Sequence, residues 1–168
     1  ATDTTGALTA NTSANITVNA GTAVKLLILV PGEVADPGSP TGKTAAAPDA
    51  QTAGTAMANG IVVRAVDANW NLASSSVNVA ISSTDTNALI ANDNGATAGH
   101  LTLVSGTRTL SSFTFQTAGT RTITATPTSG TLTASTSGNI TVNAGAFTKL
   151  QLLVPGETAV AGVSPGKS

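Results

Sequence analysis

The 168-residue chain contains no cysteine and no tyrosine, one tryptophan, three phenylalanines, one methionine and one histidine. Without thiols there is neither a disulfide framework nor a thiolate metal site, so packing and ladder hydrogen bonds must supply the stability. Charge is scarce as well: 9% of residues are charged, with seven Lys plus Arg against eight Asp plus Glu. That balance offers no basic face to a phosphate backbone and no acidic face to a cationic partner, so nucleic acid is not an expected partner. Long apolar runs are also missing. The densest, Val24 to Val30, is interrupted by Lys25 and falls far short of the roughly 20 residues of a membrane helix. No membrane insertion is expected of this segment, and no signal peptide is legible in it.

What the chain has in abundance is small side chains. Thr and Ala together make up about a third of it. Thr and Val lose side-chain freedom in a helix and pack well on a pleated surface, so this mixture with its short apolar alternations predicts an all-β fold.

The first 44 residues return as the last 44. Ala1 to Gly21 reads ATDTTGALTANTSANITVNAG, and Ala125 to Gly145 reads ATPTSGTLTASTSGNITVNAG. The match continues from KLLILVPGEVA into KLQLLVPGETA, with 27 of 44 positions identical at a constant offset of 124 residues. Self-similarity at a fixed period marks a tandem array that reuses one structural unit. A period of 124 residues suits one domain per repeat, since domains of about 100 to 150 residues are the commonest. Both ends of the chain fall inside the pattern. Ala1 and Ser168 are therefore not expected to be natural ends, and any signal or anchor belongs elsewhere in a longer parent.

Short strands follow one another at sandwich spacing. Val24 to Val30 is a dense apolar strand stopped by Pro31-Gly32, and Glu33 to Thr55 reads as a long surface connection without periodicity. Ile61, Val63 and Ala65 alternate on a second strand, and Val77, Val79 and Ile81 on a third. Ala88 to Ile90 is a short apolar piece before an Asp93-Asn94-Gly95 turn signal. Leu101, Leu103, Phe113 and Phe115 are the bulkiest later core candidates. One strand is expected to run from Gly119 through Ile123 and Ala125, and the last to end in Asn139 to Val142. About seven strands with regular turn signals predict a Greek-key sandwich of immunoglobulin type. In that phase residues 1–21 belong to the last strand region of a preceding repeat, 22–145 form the complete domain, and 146–168 open the following repeat. Only a few residues separate one unit's last strand from the next unit's first, which predicts a stiff serial rod.

The stretches Lys149 to Thr158, Ala50 to Ala56, Ala65 to Asn71, Phe113 to Thr120, Ile123 to Thr126 and Asn139 to Gly145 together resemble the tandem immunoglobulin-like repeats of giant bacterial surface and secreted proteins. The resemblance covers essentially the whole chain. It implies an extracellular or cell-surface array that extends, spaces or adheres, and it implies no particular ligand. Met57 to Gly60 departs from the regular alternation with which such repeats begin this strand, leaving a bulge or loop open there. Some bacterial surface domains similar to this one carry a Lys–Asn isopeptide bond between terminal strands. Lys25 with Asn139 or Asn143 would be the pair here, but such a bond needs a buried acid beside it, and no Asp or Glu falls on a predicted core strand.

Several patterns imitate chemistry. Gly38-Ser39-Pro40-Thr41-Gly42-Lys43-Thr44 has the glycines and lysine of a phosphate loop, but three residues separate the glycines where four are required, and no amphipathic helix follows. The copy at Gly162 to Ser168 shares the short spacing, which favours a repeat-linked turn. Asp67, Asn69 and Asn71 space three oxygen-bearing side chains as a calcium loop begins, yet Leu72 and Asn78 stand where a hand-type loop has Gly and Glu. A calcium ion at the sandwich edge would recruit Asp85 or Asp93 from another loop; the plainer reading is an Asx-type turn. No other cofactor is expected. Trp70, in the same turn, either presents its ring to a glycan or partner or folds over the sandwich end or a neighbouring domain. His100 lacks a nucleophile and an acid at recognisable positions, and a solvated loop histidine is its default reading.

The expectation is thus a non-enzymatic structural module whose partners are neighbouring identical repeats. The alternatives are a strand-exchange filament of separate subunits and an adhesin domain for host or matrix glycans, with Glu33 to Thr55 and Trp70 as its contact surface.

Overall fold

The computed structural model describes residues 2, 4–6, 8–44, 47–93 and 97–168. All of its regular elements are strands: β1 (Lys25–Leu29), β2 (Gln51–Thr52), β3 (Ile61–Val66), β4 (Asn78–Ser83), β5 (Leu89–Ile90), β6 (His100–Thr102), β7 (Thr107–Leu110), β8 (Phe113–Thr114), β9 (Gly119–Arg121), β10 (Ile123–Pro127), β11 (Ser135–Thr136) and β12 (Ile140–Asn143). Among the described residues no helix is long and apolar enough to cross a membrane. The fold is an all-β sandwich, as the composition predicts. One sheet has the order β1-β3-β7 and the other β11-β10-β4-β6, with smaller sheets β2-β12-β9 and β5-β8 beside them.

Twelve segments stand where about seven strands were expected, because several strands are broken between sheets. The expected run from Gly119 to Ala125 is two elements. β9 pairs with β12, and after Thr122 the chain crosses so that β10 pairs with β4 and β11. The Thr122 N–H leaves the ladder and donates to Thr84 Oγ1 at 2.9 Å, which satisfies a backbone group at the crossing. Asn94 and Gly95 of the expected turn lie outside the described residues. Asp93 is described, and accepts the Ser111 N–H at 2.6 Å.

Period-two alternation fills the space between the sheets. Ile61, Val63 and Ala65 of β3 meet Val79 and Ile81 of β4, Ile123 and Ala125 of β10, and Phe113 and Phe115 in one buried cluster. From Leu26 to Leu29 β1 is buried on both sides, which explains the consecutive apolar residues there. Leu26 and Ile28 point into that main core. Leu27 and Leu29 point outward into a second cluster with Val62, Val66, Ala35 and Trp70. The cover of this outer cluster comes from the connection after β1: residues 33–43 fold back over the sheet, bridging Ala35 to Lys43, and the Gly38 N–H reaches the Asn69 carbonyl at 2.8 Å. Residues 33–43 of the expected surface connection from Glu33 to Thr55 therefore form a built lid over β1, and β2 stands near the far end of that stretch.

The chain passes through the sandwich from one end to the other. β1 starts where β3 stops, with Lys25 opposite Val66 and a parallel bridge to Thr133. The last strand region therefore advances in the same sense as β1, and β12 finishes parallel to β2 at the opposite end. Among the described residues, the buried core residues all fall between Leu26 and Val142. Outside these limits the repeat-equivalent segments are bare. Ile16 and Val18 are 80% and 89% exposed, whereas their equivalents Ile140 and Val142 are 1% and 3% exposed.

Candidate functional site at the two domain poles

At the pole where the chain arrives, Asp67 follows β3 directly and turns the chain back. Its Oδ1 accepts the Asn69 and Asn71 N–H groups, both at 2.9 Å, and its Oδ2 accepts the Gly21 N–H at 2.9 Å. The Asn71 side-chain amide donates to both oxygens, at 3.2 and 3.0 Å. The Gly21 and Asn71 donors hold the carboxyl well below its ordinary value, at about 2, against the opposing effect of burial. Of the three calcium candidates, Asp67, Asn69 and Asn71 do share one turn, but Asp67 spends its lone pairs on N–H donors in an Asx-type geometry. Asp85 sits at the other pole and Asp93 against Ser111, so neither joins them, and among the described residues no three His, Cys, Asp or Glu cluster to hold a metal.

Trp70, at φ 68°, completes the turn. Its ring is half-buried against Gly42, where any Cβ would collide with the indole, and Lys25 Nζ lies 3.4 Å from the ring centroid. The same ammonium donates to the Ala68 carbonyl at 3.0 Å. Lys25 is thus committed to the Trp70 turn. Of the isopeptide partners weighed for it, Asn143 pairs with Thr52 at the end of β12.

The opposite pole repeats the device with Asp85. Its carboxylate accepts the Asn87 N–H at 3.1 Å and the Gln116 and Thr117 N–H groups at 2.7 and 2.9 Å. Burial raises its pKa, and the donors from Thr117, Gln116 and Asn87 outweigh it, so the carboxyl lies below its ordinary value. Asn87 Nδ2 then reaches across to the Ala161 carbonyl at 3.3 Å, and a Cβ on Gly162 would collide with Thr117 Oγ1. These contacts seat residues 159–167, the second copy of the lid loop, on the departing end of the sandwich.

The two lid loops are built alike. Glu33 accepts the Val30 N–H at 3.1 Å and pairs with Lys43 at 2.9 Å. Glu157 accepts the Val154 N–H at 3.0 Å and pairs with Lys167 at 2.6 Å. A bridge from Ala159 to Lys167 repeats the one from Ala35 to Lys43. The phosphate-loop look-alike is therefore a Glu–Lys clamp that closes a loop. Sequence reasoning did not find Asp85 or Glu33 as anchors, although the Asp-x-Asn spacing of Asp67 to Asn69 recurs at Asp85 to Asn87. His100 opens β6 opposite Ala80, half-buried, rather than standing in a loop. The chain matches no protein-family model and no curated protein.

The Asp67 carboxylate carries a pH signature. Its folded pKa is depressed from 3.8 to about 2, so its stabilising effect is complete above pH 3.8 and is lost as pH falls through about 2. The melting-temperature gap between the native chain and Asp67→Asn should therefore be widest near neutrality and shrink between about pH 4 and 2. A gap that stays constant across that range would mean that the ionised carboxylate is not what holds Gly21 to the turn.

Proposed function

We propose that this chain is a structural, non-enzymatic segment of an extracellular or cell-surface array, in which immunoglobulin-like domains of 124 residues are strung in series and give reach and stiffness. The observation that carries the reading is the polarity of the domain. The chain arrives at the Asp67 pole and departs at the Asp85 pole, and the Glu–Lys lid loop recurs at a 124-residue offset, once against the Trp70 turn of the arriving pole and once on the departing pole. The Gly21–Asp67 and Asn87–Ala161 hydrogen bonds tie both flanking segments to the sandwich, which limits rotation at each junction. Its partners in this reading are its own neighbouring repeats. The half-covered Trp70 ring, engaged by Gly42 and Lys25 of its own domain, supports packing over the sandwich end rather than display to a glycan.

The test is a chain in which the 124-residue unit occurs twice in succession. Small-angle scattering should give a largest dimension increased by nearly one domain length, with a profile fitted by one fixed inter-domain angle. Two domains folded back on each other, or a profile that needs a broad ensemble of angles, would defeat the reading.

A further inference from the structure

The sequence of β1, KLLIL, returns as KLQLL at 149–153 in a different environment. In β1, Leu26 and Ile28 are 1% and 0% exposed, whereas their equivalents Leu150 and Leu152 are 90% and 78% exposed. The loop that follows each is folded in the same way, with the same Glu–Lys clamp and the same bridge. Both sides of residues 149–153 are still open, Leu153 being 41% exposed where Leu29 is 6% exposed, and what they lack is the sheet, core and packed outer cluster that β1 enjoys. Beside them, Leu150, Leu152, Gly166 and Lys167 together with Gly54 and Gln116 of the sandwich line a groove of about 870 Å³.

The first copy shows what fits there. Against β1 lies β3, in antiparallel register from Lys25 opposite Val66 to Leu29 opposite Val62, and Trp70 beyond β3 seats its ring on Gly42. Gly166 keeps the glycine at the place of Gly42. We propose that residues 149–153 and this groove form a docking site for the β3 edge and Trp70 turn of a second copy of the domain, so that the lid loop 157–167 grips two domains at once. One side of the loop holds Asn87 and Thr117 of the preceding domain, and the other covers the first strand of the next. Gln151, which replaces Leu27 and donates to the Gly166 carbonyl at 2.5 Å, must turn aside for the incoming indole. This inference rests on the serial reading and names the surface through which it operates.

In separate 168-residue chains the same site has to take β3 of another molecule, in competition with that molecule's own β1. The competing strand has an effective concentration of roughly millimolar, so refolding from denaturant should be done at that chain concentration or above. Sedimentation is expected to show a head-to-tail series of oligomers, and Leu150→Asp with Leu152→Asp should abolish it without changing the melting temperature of the monomer. Register is read by disulfides, since the chain has no native cysteine. With oxidised glutathione added, Gln151→Cys with Arg64→Cys should give a linked ladder on non-reducing electrophoresis. The pair Leu27→Cys with Arg64→Cys should close within one molecule.

A refolded chain that remains monomeric overturns the proposal, and so does a disulfide ladder that survives the two aspartates, because random collision would then account for it. If the ladder is absent while the doubled chain is extended and stiff, only this inference falls. If the doubled chain is collapsed, the serial reading falls whatever the ladder shows.

Discussion

Truncating Phe113 to alanine is expected to cost the domain about 3–5 kcal/mol, visible as a melting temperature lower by roughly 10–20 °C. Phe113 is fully buried and meets Phe115 edge-to-face, with ring centroids 4.9 Å apart and an interplanar angle of 72°. With three phenylalanines in the chain and Trp70 outside the main cluster, the rest of that core is aliphatic or smaller. The β-branched Ile and Val side chains of that cluster are stiff at χ1 and collapse poorly into the space left by a ring, so most of the cavity should persist. Phe147, the third phenylalanine, is 81% exposed and provides a control within the same chain. Phe147→Ala should leave the melting temperature within about 1 °C of the native value, because an exposed ring contributes little to burial. Equal effects of the two substitutions would show that the core is not organised around Phe113.

Asp85→Ala is the second large effect, expected at about 3 kcal/mol. Three backbone N–H groups, of Asn87, Gln116 and Thr117, lose a charged acceptor in one step, and each unsatisfied donor costs about 1–3 kcal/mol. The total is kept to the lower part of that range because these residues sit at a domain end, where water recovers part of the loss. The carboxylate joins the β4–β5 turn to the segment between β8 and β9, so its removal should also loosen the seat of the second lid loop. Chemical denaturation gives the energy, and amide exchange at Gln116 and Thr117 gives the location. Because the folded pKa is depressed, the energetic gap from the native chain should be present above the ordinary carboxylate value and close as pH falls below it. Unchanged exchange at Gln116 and Thr117 would contradict the assignment.

The sandwich strands were legible because alternation and burial coincide in them. Ile61, Val63 and Ala65, and Val79 and Ile81, point inward as their spacing predicts, and Phe113 and Phe115 are core. What stayed hidden was of two kinds. The crossing at Thr122 lies in a continuous alternation, Thr120-Arg121-Thr122-Ile123-Thr124-Ala125, with no Gly or Pro to interrupt it, so nothing marks the change of sheet. The anchoring carboxylates act across the chain: Asp85 takes donors 31 and 32 residues away, and Asp67 takes one 46 residues away. Distant backbone N–H groups leave no mark in composition, and local spacing suggested calcium ligation where backbone capture was at work. One signal was available for the lid. A strand with Leu27 and Leu29 apolar as well as Leu26 and Ile28 has to be covered on both faces, and the only chain at hand to cover the second face was the connection that follows it.

The parallel alignment of the chain's arriving and departing strands has a mechanical consequence. Lys25 bridges Thr133 in parallel, and β2 and β12 also run side by side in the same sense. Tension applied through the two ends of the domain draws these strands past each other along their length, so the bonds between them are strained together in shear instead of opening one after another like a zip. A domain joined in this way resists extension through its geometry, without cross-links, and a tether made of many such domains would yield in discrete steps, one unit at a time.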